Sequence, residues 1–280
     1  MTSMETFAIQ RSVARFLRYA ILVVYAVTTI APFVWLLLTS MKGATEVYVN
    51  SFGLPRTWKF INYLTAWSKA RVRVYFGNSL LYAFSSLFLC LLFAGMVSYV
   101  LTRVWRSLAV FSYFMIGIMI PIQALLIPTF MLMKNIGLLN TRIGLMALYV
   151  AANLSLSIFI ISGFMKGVPM ELEDAAFVDG CSRSRFFFTI MVPLSKGGFA
   201  TAGVLTFLNC WNDFVFAYIF ISPMNLKTIS QGVMILKGEY ITDFGLLSAG
   251  LVISIIPVFI MYVLFQEQVV SGLTAGAIKG

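Results

Sequence analysis

The chain has 280 residues, 60% hydrophobic and 11% charged, with twenty Lys/Arg against ten Asp/Glu and no His. A soluble domain carries roughly 25% charged residues, so this composition excludes an ordinary water-soluble core and makes lipid the solvent. The missing His excludes His-based triads, His zinc sites and His proton relays. The net charge of +10 is assigned to Lys and Arg flanking membrane spans, against anionic lipid headgroups, and not to nucleic acid.

Charge-free runs cover residues 19–41, 74–102, 107–133, 143–165 and 244–266. Each exceeds the ~20 residues a helix needs to cross the hydrocarbon. A sixth run, 197–226, is interrupted only by Asp213. No alternating-strand pattern occurs, and unpaired backbone is costly in lipid. The expected fold is therefore an all-α membrane protein with one transmembrane domain over 1–280. Its six spans are placed at about 17–41, 77–102, 108–134, 142–166, 197–222 and 244–268.

Arg11, Arg15 and Arg18 precede an apolar stretch longer than the roughly 7–15 residues of a signal peptide, and no A-x-A site follows. The first span is expected to be retained, with both termini in the cytoplasm. On that orientation ten Lys/Arg fall on each side, so the positive-inside count is a tie. Lys42, Arg56, Lys59, Lys69, Arg71 and Arg73 cause it, all in the first outer loop. Pro55, Trp58 and Trp67 in that loop fit a short interfacial helix. In the third span Pro121 and Pro128 lie seven apart, on nearly one helix face, and each removes an internal hydrogen bond. A bend is expected there, as a structural kink or as a hinge.

The connection 167–195 holds four of the ten acids within nine residues: Glu171, Glu173, Asp174 and Asp179. Pro169 suits a first helical turn, acids there favour the helix dipole, and Gly180 suits the stop. A second short helix is expected from about Ser184 to Met191, ending before Pro193. The loop is thus a helix–turn–helix outside the bilayer. Ala176 and Gly180, four apart, are expected to share a face that a partner can approach closely. In the fifth span Asn209, Asn212 and Asp213 stand at i, i+3 and i+4, which points to a pathway or gate face, or to polar contacts between helices. Cys90, Cys181 and Cys210 show neither metal spacing nor a disulfide framework.

Asp174-Ala175-Ala176, three residues, Gly180, nine residues, then Ile190-Met191-Val192-Pro193 resembles the EAA loop of ABC-importer permeases. Asp174 stands where that pattern has Glu, and Val192 where it has Leu. The run 208–214, containing Trp211, Asn212 and Asp213, looks like the fifth-span signature of carbohydrate-uptake permeases of the maltose type. The ending 271–280 and Asn78-Ser79-Leu80 look like that family too. The resemblance is closest to the six-span subunit of a permease heterodimer in a bacterial plasma (inner) membrane.

The resemblance implies a second related permease, two ATPase subunits and an extracytoplasmic sugar-binding protein as partners, beside membrane lipid. ATP and Mg are then bound by the partner ATPase, and no cofactor by this chain, which has no GxxxxGK[ST] phosphate loop. It implies ATPase coupling through Glu173, Asp174, Ala175, Ala176, Gly180, Ile190 and Pro193. A C-terminal ATPase contact falls on Gly272, Ala275, Gly276 and Lys279, in an extended tail. The loop 222–243 is expected outside, reaching toward the binding protein or serving as a plain connector. The alternatives are import of a non-sugar solute, a secondary transporter and an intramembrane enzyme.

Overall fold

The computed structural model describes residues 3–237 and 242–277, and among these there is no strand. In chain order, α1 is Ser3–Ser40, α2 Ala44–Val49 and α3 Ile61–Leu64, the last continued by a π-helical turn, Thr65–Lys69. Next come α4, Val72–Tyr99, with a π-turn Val100–Val104, and α5, Leu108–Met119. A single 3-10 turn, Ile122–Leu125, leads into α6, Leu126–Asn135. Then follow α7, Arg142–Lys166, and α8, Glu171–Val178. A continuous arm is made of α9, Arg183–Phe186, a π-turn Phe187–Met191, and α10, Val192–Leu194. The chain closes with α11, Lys196–Asn212, α12, Val215–Phe220, α13, Ile229–Ile235, and α14, Phe244–Ala277.

Among the described residues, four helices are long and apolar enough to cross a membrane: Val13–Ser40, Val72–Val104, Arg142–Lys166 and Phe244–Glu267. Two bent pairs bring the count to six: Leu108–Met119 with Ile122–Asn135, bent by 92°, and Arg183–Leu194 with Lys196–Asn212, bent by 79°.

The chain divides into two compact units. One comprises Met1–Ala70 and Leu236–Ile253. Here α1 is exposed along most of its length, and its end is locked by the following loop. Lys42 is fully buried there, and its Nζ donates to the carbonyls of Asn50 at 2.7 Å and Ser51 at 3.2 Å. The cation sits just past a helix C-terminus, where the dipole favours it. Asn62 donates to the carbonyls of Ser40 and Lys42, so residues 40–63 form a tied cap. Trp58 and Trp67 remain exposed on the segment that follows.

The other unit comprises Arg71–Ile235 and Ser254–Gly280. Its core is α4 packed against α7 and α11. Ser86, Cys90, Ala94 and Ser98 recur every four residues on α4, and all are buried. Such a small-residue stripe lets helices approach closely in lipid, where apolar attraction between them is weak. Ser86 Oγ donates to the Met146 carbonyl, and Ser98 Oγ to that of Ile158. Ser157 and Thr206 hydroxyls meet at 3.3 Å.

Two of the six expected spans differ from expectation in detail. The third span does bend, but Pro121 alone breaks it: Pro121 is extended, and α5 ends before it. Pro128 lies in the first turn of α6, where a backbone N–H has no partner within the helix, so it causes no second kink. The two prolines therefore do not share a helix face. The fifth span stops at Asn212, because Asp213 leaves the helix with φ −64° and ψ 129°. The arm after Ser182 runs through Pro193 to Leu194 and does not end before it, because a π-turn directly precedes the last helical segment.

The last span also differs. The helix α14 continues to Ala277, so Gly272, Ala275 and Gly276 are helical and not extended. Lys279 lies outside the described residues.

Candidate functional site

Two places carry the candidate residues, both within the unit built on α4, α7 and α11. The first is the hairpin 167–195. Glu171, Glu173 and Asp174 fill the first turn of α8, where they complement the positive end of the helix. Gly180 has φ +77° and closes the helix. Its N–H donates to the Phe177 carbonyl at 3.0 Å, and the Cys181 N–H to that of Ala176 at 2.9 Å. That pair of bonds is the Schellman stop, which needs a left-handed residue. Ser182 then caps the second arm by accepting from the Arg185 N–H.

The inner face of α8 carries Glu173 and Ala176, 6% and 9% exposed. Ala176 packs in a cluster with Tyr99, Met165, Val168, Phe186 and Phe187. The Tyr99 hydroxyl donates to Glu173 Oε1 at 3.0 Å, and Arg103 Nε lies 3.8 Å from Glu173 Oε2. Arg103 Nη2 also donates to the carbonyls of Met165 and Val168. A buried ion pair therefore ties α8 to the end of the second span. The outer face carries Leu172, Asp174, Ala175 and Val178, the last 88% exposed. Pro193 is exposed on the second arm, and Ile190 packs partly against the cluster.

The shared face expected of Ala176 and Gly180 is not formed. Ala176 and Glu173 point into their own chain. Gly180 lies beyond the helix end with φ +77°, so it does not share a helix face with Ala176. The stripe left outward is Leu172, Ala175 and Val178, spaced i, i+3 and i+6, which the sequence contained as a second apolar face of the same short helix.

The second place is a cavity of about 400 Å³ beside the break at Asp213. Asn209, Asn212 and Asp213 line it together with Tyr149, Asn153, Phe216 and Ile122. The three predicted residues thus meet, although not on one helix face. The Asp213 carboxylate accepts from the Phe216 and Ala217 N–H groups at 3.2 and 2.9 Å, and from the Tyr149 hydroxyl at 2.9 Å. It therefore caps α12, and three donors compensate its charge in the span. Asn209 donates to Asn153 Oδ1 at 2.8 Å, and Asn153 to the Tyr149 carbonyl at 2.8 Å. Asn209 is therefore also a polar contact between helices, while Asn212 is exposed in the cavity wall. A second cavity of about 550 Å³ shares Ile122, Ala152 and Phe216 with the first and opens at the Pro121 break.

Sequence reasoning missed Tyr149 and Asn153. Their signal was a polar i, i+4 pair in a charge-free run. It also missed the packing of the segment after Ser222. Asn78 donates to the carbonyls of Asn225 and Lys227, Tyr82 to that of Leu226, and Ser79 Oγ accepts from the Ile229 N–H. A Cβ at Gly232 would collide with the Tyr75 ring. The stretch up to Ile235 is therefore folded onto the start of α4 and is no plain connector. Among the described residues no group of His, Cys, Asp and Glu could hold a metal.

Comparison with known proteins agrees with this architecture. The chain is 32% identical over 265 residues to a diacetylchitobiose uptake system permease protein of Streptomyces coelicolor, covering 93% of this chain and 88% of that one. It is 35% identical over 272 residues to a sulfoquinovosyl glycerol transport system permease protein of Agrobacterium fabrum, covering 94% of each. The fold matches a chain of a bacterial ABC transporter involved in importing the acidic polysaccharide alginate, with a TM-score of 0.82 at 20% identity, over 92% of this chain and 97% of that one. Residues 91–273 match one family, and the chain belongs to it: the binding-protein-dependent transport system inner membrane components.

Proposed function

We propose that the chain forms half of the translocation pathway of an ATP-driven importer for a sugar or oligosaccharide, coupled through residues 167–195 to ATPase subunits that are separate chains. The single observation that carries this reading is the build of the hairpin. One face of α8 is clamped to the second span by the buried Glu173, and the other leaves Leu172, Ala175 and Val178 open. An apolar stripe outside the bilayer is a surface for a protein partner. A helix tied by a buried pair moves with its span as one body, which suits transmission between two global states.

The names of the two permease relatives support a carbohydrate as solute. A second related permease completes the pathway, two ATPases bind ATP and Mg, and an extracytoplasmic binding protein delivers the sugar. The hairpin and both termini then face the cytoplasm of a bacterial cell. Asn212 and Asn209 offer amide groups to passing hydroxyls. Asp213, already accepting three hydrogen bonds, positions the break and carries no ion in this reading. The Pro121 break serves as the hinge, and Pro128 rides in α6. The end of α14, with Gly272, Ala275 and Gly276, supplies a helical contact to the ATPases.

The test uses Ala175→Arg and Val178→Arg, both at exposed positions that leave the core intact. Each should insert normally in the membrane, lose ATPase copurification and lose sugar-stimulated hydrolysis. Wild-type values for both measurements in both variants would sink the docking assignment. Ala176→Arg is the wrong variant, because it would disrupt the cluster around Phe186.

A further inference from the structure

We propose that a pocket at the root of the hairpin binds the phosphate headgroup of an anionic phospholipid. The pocket, about 500 Å³, lies where the second span ends, α5 begins and α7 ends. Arg103, Arg106 and Lys166 line it, and no acidic side chain does.

Two of the three cations, Arg106 and Lys166, have no acidic partner among the described residues. Arg106 donates through Nε to the Thr102 carbonyl at 3.1 Å and through Nη2 to the Met170 sulfur, a weak neutral acceptor. Lys166 Nζ stands over the Phe111 ring, 4.6 Å from its centroid. Arg103, whose side chain is 2% exposed, is already paired with Glu173 at 3.8 Å and forms the back wall. Ser107, the N-cap of α5, also lines the pocket and brings the positive end of a 12-residue helix to it. The site is therefore built for an anion with several acceptor oxygens, and phosphate is the chemistry that fits.

The walls select the source of that phosphate. Leu101, Leu108 and Phe111 make part of the lining apolar. Trp105 and Leu108 are exposed beside it, as expected where a helix meets the headgroup layer. A free phosphate would leave those walls wet, whereas a phospholipid covers them with its acyl chains. Basic pockets between spans are known to hold anionic headgroups in this way. Because Arg103 also pairs with Glu173, a bound lipid would touch the same guanidinium that holds α8. The inference needs only that the spans cross a membrane, and not the identity of the solute or the ATPases.

The test is retention of lipid on the delipidated, full-length chain in detergent, read by native mass spectrometry. Phosphatidylglycerol, phosphatidylcholine and inorganic phosphate are titrated separately. Saturable retention is expected for phosphatidylglycerol alone. Arg106→Gln with Lys166→Gln should weaken it by about tenfold or more, from ~1 kcal/mol per basic residue. Arg106→Lys with Lys166→Arg should bind like wild type, which controls for folding. Equal retention of phosphatidylcholine by the wild type would overturn the proposal, and so would unchanged affinity in the charge-removing variant. Saturation by inorganic phosphate without lipid would assign the pocket to a free anion instead.

Discussion

Replacing Glu173 by Gln should loosen the hairpin from the second span while leaving the shape of the side chain. The side chains of Glu173 and Arg103 are 8% and 2% exposed, and their charged atoms stand 3.8 Å apart. At an effective dielectric of ~20, that separation corresponds to about 4 kcal/mol of attraction. Gln keeps the acceptor for the Tyr99 hydroxyl, and Arg103 keeps its two carbonyl partners. What remains is a buried, uncompensated cation, and removing one member of a buried pair costs about 3–5 kcal/mol. The expected loss is therefore roughly 3 kcal/mol. Glu173→Leu combined with Arg103→Met removes both charges and should recover more than half of it, since an apolar replacement of a buried pair is often neutral. Recovery is incomplete because the Val168 carbonyl loses its donor. Denaturant unfolding in detergent, run as a double-mutant cycle, reads these values. The functional counterpart is weaker coupling of hydrolysis to transport at unchanged membrane insertion. A Glu173→Gln variant within ~0.5 kcal/mol of wild type, or a double variant as unstable as the sum of the singles, would refute the strut.

Three further outcomes are expected. Tyr149→Phe removes one hydrogen bond to the Asp213 carboxylate and should cost ~1.5–3 kcal/mol, while Asp213→Ala should cost more, because it also uncaps α12; unfolding midpoints in detergent compare the two, and equal small effects would show that the carboxylate is not structural. Gly180→Ala should cost ~1 kcal/mol from φ +77° alone, since a Cβ there meets open space, and Gly180→Asn should cost less; a stabilised Ala variant in the same unfolding assay would contradict the left-handed stop. Cys90 and Cys210 are buried and Cys181 is partly exposed, so an impermeant thiol reagent should label wild-type chain at Cys181 only and from the cytoplasmic side only; labelling of intact cells from outside would invert the proposed topology.

Much of the hairpin 167–195 could be read from the sequence. Its acids sit in the first turn, Gly180 ends the helix, and the second arm follows, because capping and dipole effects are local and act through neighbours in sequence. Which face of α8 turns inward could not be read that way. Both Glu173-Ala176-Phe177 and Leu172-Ala175-Val178 are legitimate stripes on a short helix. The choice fell to Tyr99 and Arg103, seventy or more residues away, which give the Glu173 carboxylate its partners.

The same division holds for the spans. Composition and run length determined that the chain is helical, lives in lipid and crosses it several times, because the hydrocarbon thickness sets a length that any apolar run can be measured against. The sequence also marked Pro121 and Asp213 as irregular. Only the tertiary structure decided what those irregularities are. Pro121 breaks a helix that Pro128 does not disturb, since an N-terminal turn has no hydrogen bond for a proline to remove. Asp213 turned from a helical residue into a cap, because the amides of Phe216 and Ala217 and the Tyr149 hydroxyl converge on its carboxylate and outweigh one more turn of helix. Those partners come partly from another span, and no local pattern around residue 213 records where that span will lie.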